Sequence, residues 1–131
     1  MATVVVKLLP ITILEEANAL IVFGEVTFNS GDYVAGGVQA AWDYATAPTT
    51  GLPAKLTRIA EVSAGQPPQT FSFNSGDASH GLYAVKVADS SLPKIKVTKA
   101  SDGTEMAAAG LGASMTSPTA PHTFRFEYLK N

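Results

Sequence analysis

The feature that most constrains this chain is a period-two alternation of apolar and polar residues that returns again and again between clusters of turn-forming residues. Alternation at that period places one set of side chains on each face of a strand, and no stretch sustains the 3.6-residue period of a long amphipathic helix. Thr3–Leu9 (TVVVKLL) is rich in β-branched residues and is expected to stop at Pro10, which cannot donate to a continuing ladder. Ala19–Phe28 is the strongest strand, with Val22, Gly24, Val26 and Phe28 on one face and Phe23, Glu25 and Thr27 on the other. Glu15–Asn18 reads as a turn, because the capping box suggested by Thr12 and Glu15 runs into residues too β-branched to extend a helix. Tyr33–Trp42 reads as a strand broken at Gly36–Gly37, and Lys55–Ser63 as another. Thr70–Phe73 and Leu82–Ala88 form a pair. In Lys94–Lys99 (KIKVTK), Ile95 and Val97 are expected to face inward and Lys94 and Lys96 water. His122–Lys130 closes the pattern with Phe124, Phe126 and Tyr128 on one side.

About seven to eight short strands separated by turns predict an all-β fold, an antiparallel β-sandwich or jelly-roll-like barrel with an N-terminal strand or arm. At 131 residues the chain suits one domain. Residues 1–18 are expected to form the N-terminal strand or arm and its turn, and residues 19–131 a single β domain. The run Val4–Leu9 allows two readings: a central strand buried on both faces, or an arm that adds to a neighbour's sheet. Residues 43–55 and 107–121 read as long loops.

Only 15% of the residues are charged, against about a quarter in an average domain, which leaves apolar surface free to meet another chain. A net charge of −2 and nine scattered Lys and Arg residues lack the basic stripe of a nucleic-acid binder. With no cysteine, disulfides and thiolate chemistry are excluded. No apolar run is long enough for a membrane-spanning helix, and Met1–Ala2–Thr3 has no basic leader region, so an intracellular product is expected.

Chemistry-bearing motifs are sparse. Phe28–Asp32 (FNSGD) recurs as Phe73–Asp77, and each copy offers one carboxylate where calcium asks for six to eight oxygens. Both copies read as turns, with Asn and Asp bonding nearby backbone and Gly supplying positive φ. His80 and His122 have no second ligand at metal spacing, and no serine sits in a nucleophile elbow. No catalytic residue, cofactor or metal is expected. Trp42, beside Tyr44 and a Gly- and Pro-containing loop, is either a core residue or a platform for a sugar or partner.

The run Ile21–Phe28, a small turn, and then Tyr33–Val34–Ala35–Gly36–Gly37 resembles the opening of small structural proteins of tailed bacteriophages, where a G-x-V-T-F strand precedes a Y-x-x-G-G element. The aromatic hairpin from Phe71–Phe73 to Leu82–Val85, the Gly103–Met106 segment and the closing Thr123–Phe126 are similar too, so the resemblance spans about residues 20–129. It implies a capsid decoration (cement) protein on the virion exterior, made in the host cytoplasm. Its expected partner is the major capsid protein, with a homo-oligomer, a trimer favoured, and neither nucleic acid nor membrane. The expected contacts are Val4, Val5, Val6, Leu8 and Leu9 of the first strand, Trp42, Tyr44 and Leu52 of the first long loop, and Leu111 and Met115 of the second. A head-completion or tail component, a carbohydrate-binding module using Trp42 and Tyr44, and a small enzyme with dispersed carboxylates are the alternatives.

Overall fold

The computed structural model describes residues 6–29, 31–43, 66–88, 92–108 and 111–130. They are almost entirely β: β1 (Val6–Glu15), β2 (Ala19–Phe28), β3 (Val38–Trp42), β4 (Thr70–Asn74), β5 (His80–Val85), β6 (Lys94–Lys99) and β7 (His122–Leu129), with one helical turn, α1 (Ala113–Thr116). Among the described residues the strands form one mixed sheet in the order β4-β7-β2-β1-β3-β6-β5. The outermost strands, β4 and β5, are joined by a short turn and lie against each other, so the sheet curls into a nearly closed barrel.

Neighbouring strands are antiparallel except β1 and β3, which are parallel through Val6–Ala40, Lys7–Ala41 and Leu8–Trp42. A parallel pair needs a crossover, and here β2 and the turn after it carry the chain back to start β3 in the direction of β1. β3 then serves both walls: its second half pairs with β1, while Val38 and Gln39 pair with β6. The Gln39 amide also donates to the Leu92 carbonyl at 2.9 Å, pinning the entry to β6.

Pro10 does not end the first strand. β1 runs on to Glu15 because the register shifts between Pro10 and Thr12, a bulge that tolerates the missing N–H. The extra residue also changes parity, so Val6 and Leu8 face inward before the bulge and Ile13 packs on the core after it. β1 therefore occupies the middle of the sheet, paired on both sides, with its inner face buried and Leu9 exposed on the outer one.

Three other expectations shift. The strand expected over Tyr33–Trp42 begins only at Val38, because Gly36 and Gly37 adopt positive φ (91° and 116°) in a turn closed by Gly37 N–H to the Val34 carbonyl. A Cβ on Gly37 would also crowd Lys94 and Ile95 of β6. β5 ends at Val85, since its partner β6 starts opposite at Lys94, just after Pro93. Residues 113–116 of the expected second loop form α1, which buries Met115. The strand expected over 55–63 lies outside the described residues, as does the first long loop beyond Asp43.

The expected alternation of β2, β6 and β7 is present. Val22, Val26 and Phe28 of β2, Ile95 and Val97 of β6, and Phe124, Phe126 and Tyr128 of β7 all point into the barrel. Phe126 lies at the centre, its ring 4.8–6.5 Å from those of Trp42, Phe71, Phe73, Phe124 and Tyr128, mostly edge to face.

Two buried tyrosines are solved differently. The Tyr33 hydroxyl donates to Glu105 Oε2 at 2.7 Å and accepts from the Val97 N–H at 3.1 Å, while Gly36 N–H donates to the same Glu105 oxygen. Burial pushes the Tyr33 phenol up to about 12. The Tyr128 hydroxyl is buried with no hydrogen-bond partner among the described residues, and its phenol is raised by burial. The same substitution should therefore have opposite outcomes in urea denaturation. Tyr33→Phe leaves the Val97 N–H unpaired and should lose about 1–3 kcal/mol, whereas Tyr128→Phe removes an unpaired group and should be neutral or stabilising by up to about 1 kcal/mol.

Candidate functional site

Aromatic and aliphatic side chains of the described residues fill the interior of this barrel, which leaves its outer faces as the surface open to other molecules. On the outer face of β1, β2 and β7 the register sets Leu14 beside Ile21 and Glu127, Leu9 beside Glu25 and Thr123, and Phe23 beside Arg125. Leu9, Leu14 and Leu129 are 38%, 49% and 47% exposed. The result is an apolar strip with Glu25, Arg125 and Glu127 set along it, and the Arg125–Glu127 ion pair is loose at 3.9 Å. A shallow groove of about 490 Å³ runs along this face, lined by Phe23, Gly24, Glu25, Asn74, Pro121, Thr123, Phe124 and Arg125.

A second cleft, of about 290 Å³, adjoins it where residues 111–121 cross the end of β2. Phe28, Met115, Pro118, Pro121 and His122 line it, among others. His122 is 1% exposed and fully engaged: Nδ1 accepts from the Gly76 N–H at 2.9 Å, and Nε2 lies 3.0 Å from the Met115 carbonyl. An N–H donor on one side and a carbonyl on the other fix the neutral ring with its proton on Nε2. Phe28 meets the ring edge-on at 5.4 Å, and burial holds the imidazole below its ordinary value.

Asp77, Ser79 and His80 cluster in the β4–β5 turn. His80 Nδ1 lies 2.6 Å from Asp77 Oδ2, the Ser79 hydroxyl donates to the same oxygen at 2.7 Å, and these hydrogen bonds hold the Asp77 carboxyl down at about 2. The three residue types are those of a hydrolytic triad, but the arrangement is different. A triad sets its serine on Nε2 and its carboxylate on Nδ1. Here Ser79 Oγ sits 3.1 Å from Nδ1, the nitrogen that faces the aspartate. The cluster shapes the turn, helped by Ser75 Oγ, which accepts from Asp77 N–H and donates to the Asp77 carbonyl. Among the described residues no group of three or more His, Asp or Glu side chains is placed to hold a metal ion.

The second FNSGD copy is a turn, as its composition indicates, but Gly76 is needed for space rather than for positive φ, and Ser30 of the first copy lies outside the described residues. A Cβ there would fall 1.8 Å from the Ala120 carbonyl oxygen. The Gly31 carbonyl of the first copy accepts from the Leu111 N–H at 2.9 Å. Hence the two copies grip opposite ends of the 111–121 segment, a role that neither copy reveals from its own sequence.

Of the residues expected to make contacts, Val6, Leu8, Trp42 and Met115 are committed to the core and offer nothing to a partner. Trp42, 2% exposed, packs edge-on against Phe124 and Phe126. Leu111 packs partly buried against the same core, and Leu9 alone of the described set is exposed. Val4, Val5, Tyr44 and Leu52 lie outside the described residues. Sequence reasoning missed Leu14, Phe23 and Leu129. For Phe23 and Leu129 the signal was available, in apolar residues on the polar side of an alternating strand, whereas Leu14 is turned outward by the bulge, which the alternation does not contain.

Gly76→Ala should destabilise the protein by about 1–3 kcal/mol in urea denaturation, since the Ala120–Pro121 backbone must yield to the added methyl. A scan of protein-family models and searches of curated proteins and of solved structures found no match to this chain.

Proposed function

We propose that this chain is a structural protein of a bacteriophage virion, a decoration (cement) protein that binds the outer surface of a capsid and bridges neighbouring capsid subunits. The observation that carries the assembly part of this reading is the group of exposed Leu9, Leu14 and Leu129, with half-buried Phe23 between them, on the outside of a filled barrel. Large exposed apolar side chains grouped on one rigid face are what an interface core is made from, and the charges beside them suit its rim. The identification of the partner as a capsid rests on the sequence pattern of residues 21–37 and 71–126. On this reading the work done is burial: covering the strip on two adjacent subunits ties them together and adds stability to the shell. Head-completion or tail positions would use the same face. A carbohydrate reading loses its platform, because the Trp42 indole is inside the barrel.

Light scattering coupled to size exclusion, with co-sedimentation on undecorated capsids, tests the proposal. The wild-type chain should form a homo-oligomer, with a trimer as the favoured size, and should pellet with the shells. Leu14→Lys combined with Leu129→Lys, both at exposed positions, should leave the circular dichroism spectrum intact and weaken shell binding by about tenfold or more. A wild-type chain that stays monomeric and binds no shell at about 10 μM would sink the reading.

A further inference from the structure

Residues 111–121 are fastened to the barrel at two places of different chemistry. At one end the Leu111 N–H donates to the Gly31 carbonyl, a bond between backbone groups that pH does not touch. At the other end the fastening passes through His122, whose ring bridges the Gly76 N–H and the Met115 carbonyl. Between them, α1 sets Met115 over Phe28 and the end of β2. We propose that this segment is an acid-released lid, hinged at Leu111 and latched by His122, whose release lifts Met115 from Phe28 and widens the cleft that they line together.

The Gly76 half of the latch works only with a neutral ring, whereas the Nε2–H bond to the Met115 carbonyl also serves the charged one, so release comes from expulsion of the buried cation with its ring and not from loss of the Met115 bond itself. A proton on Nδ1 replaces the acceptor with a donor facing the Gly76 N–H, and it places a cation in a site from which water is excluded. Release relieves both penalties, because the freed imidazolium returns to water. The charged and titratable groups around the ring are few. Asp77 and His80 face it from the β4–β5 turn, with opposite effects on its charge, and Glu25 of β2 lines the same cleft. Residues 111–121 carry no titratable side chain, so nothing on the lid itself compensates the new charge.

The sign follows from the direction of the shift. His122 binds its proton less readily in the closed state than in the released one, so the latch is whole above the ordinary histidine value of 6.5 and weakens as pH falls below it. The Asp77 carboxyl, depressed from 3.8 to about 2, loses its contribution only at far lower pH, so it stays charged across the window in which His122 takes up its proton.

Amide hydrogen exchange on the intact chain, between about pH 7 and about pH 4.5 and corrected for intrinsic rates, reads this directly. Protection at Gly76 and at Met115–Ser117 should fall by about tenfold or more. The Leu111 amide and the β2–β7 ladder should keep theirs. The loss should coincide with the NMR titration of the His122 ring, vanish in His122→Gln, and persist in His80→Gln. Unchanged protection overturns the proposal. So does loss of the Leu111 amide and the β2–β7 ladder in the same step, which marks unfolding of the whole barrel, or a transition that follows His80. Should His122→Gln not fold, a mismatch between the His122 titration and the Gly76 exchange in the wild type is equally fatal.

Discussion

Everything in this barrel depends on filling its interior, and one ring does most to meet that requirement. Phe126 touches aromatic side chains from β3 and β4 as well as its two inward neighbours on β7. Trp42 reaches it from β3, which is separated from β7 by two intervening strands in the sheet, so their contact crosses the barrel interior. Edge-to-face geometry among these rings fixes orientations that a purely aliphatic core would leave freer. β4 lies beside β7 with Phe71 opposite Phe126 and Phe73 opposite Phe124, so both rings meet Phe126 across a single strand pair. The short turn after β4 lays β5 against it and places Gly76 beside His122.

The alternation in the sequence was legible because burial on one face of a strand writes itself directly into residue order. Val22–Phe28, Ile95–Val97 and Phe124–Tyr128 fall where the pattern sets them. What escaped was set by partners distant in the chain. Pro10 has a strong local meaning, and the pairing of β1 with β2 on either side of it overrides that meaning, through a bulge that no period-two reading contains. The Tyr33–Glu105 hydrogen bond joins residues 72 positions apart, and the parallel pairing of β1 with β3 depends on where β2 turns the chain. Gly76 was read as a turn glycine on sound composition grounds, yet its reason for being there is the Ala120 carbonyl.

The outer face shows the same limit from the other side. A sequence supplies hydrophobicity but not its allocation, and large apolar residues such as Leu8 and Trp42 are claimed by the core before any partner can use them. Leu14 and Leu129 are left outside because the bulge and the register of β7 put them there. The exposed apolar surface is thus what remains after the barrel has filled itself: Leu9 and Leu14 on β1, Leu129 on β7, Tyr83 on β5 and Val34 in the turn before β3.

The position of β7 between β2 and β4 has a consequence for how the protein comes to be made. During synthesis every other strand of the described sheet leaves the ribosome before it, so a nascent chain carries β2 and β4 with edges that await a strand not yet translated. Their separation in the sequence makes these pairings long-range, which slows folding and prolongs the time that unpaired edges are open to wrong partners. Phe126, the ring on which the aromatic core converges, arrives last, so the barrel closes around it in a late, largely all-or-none step.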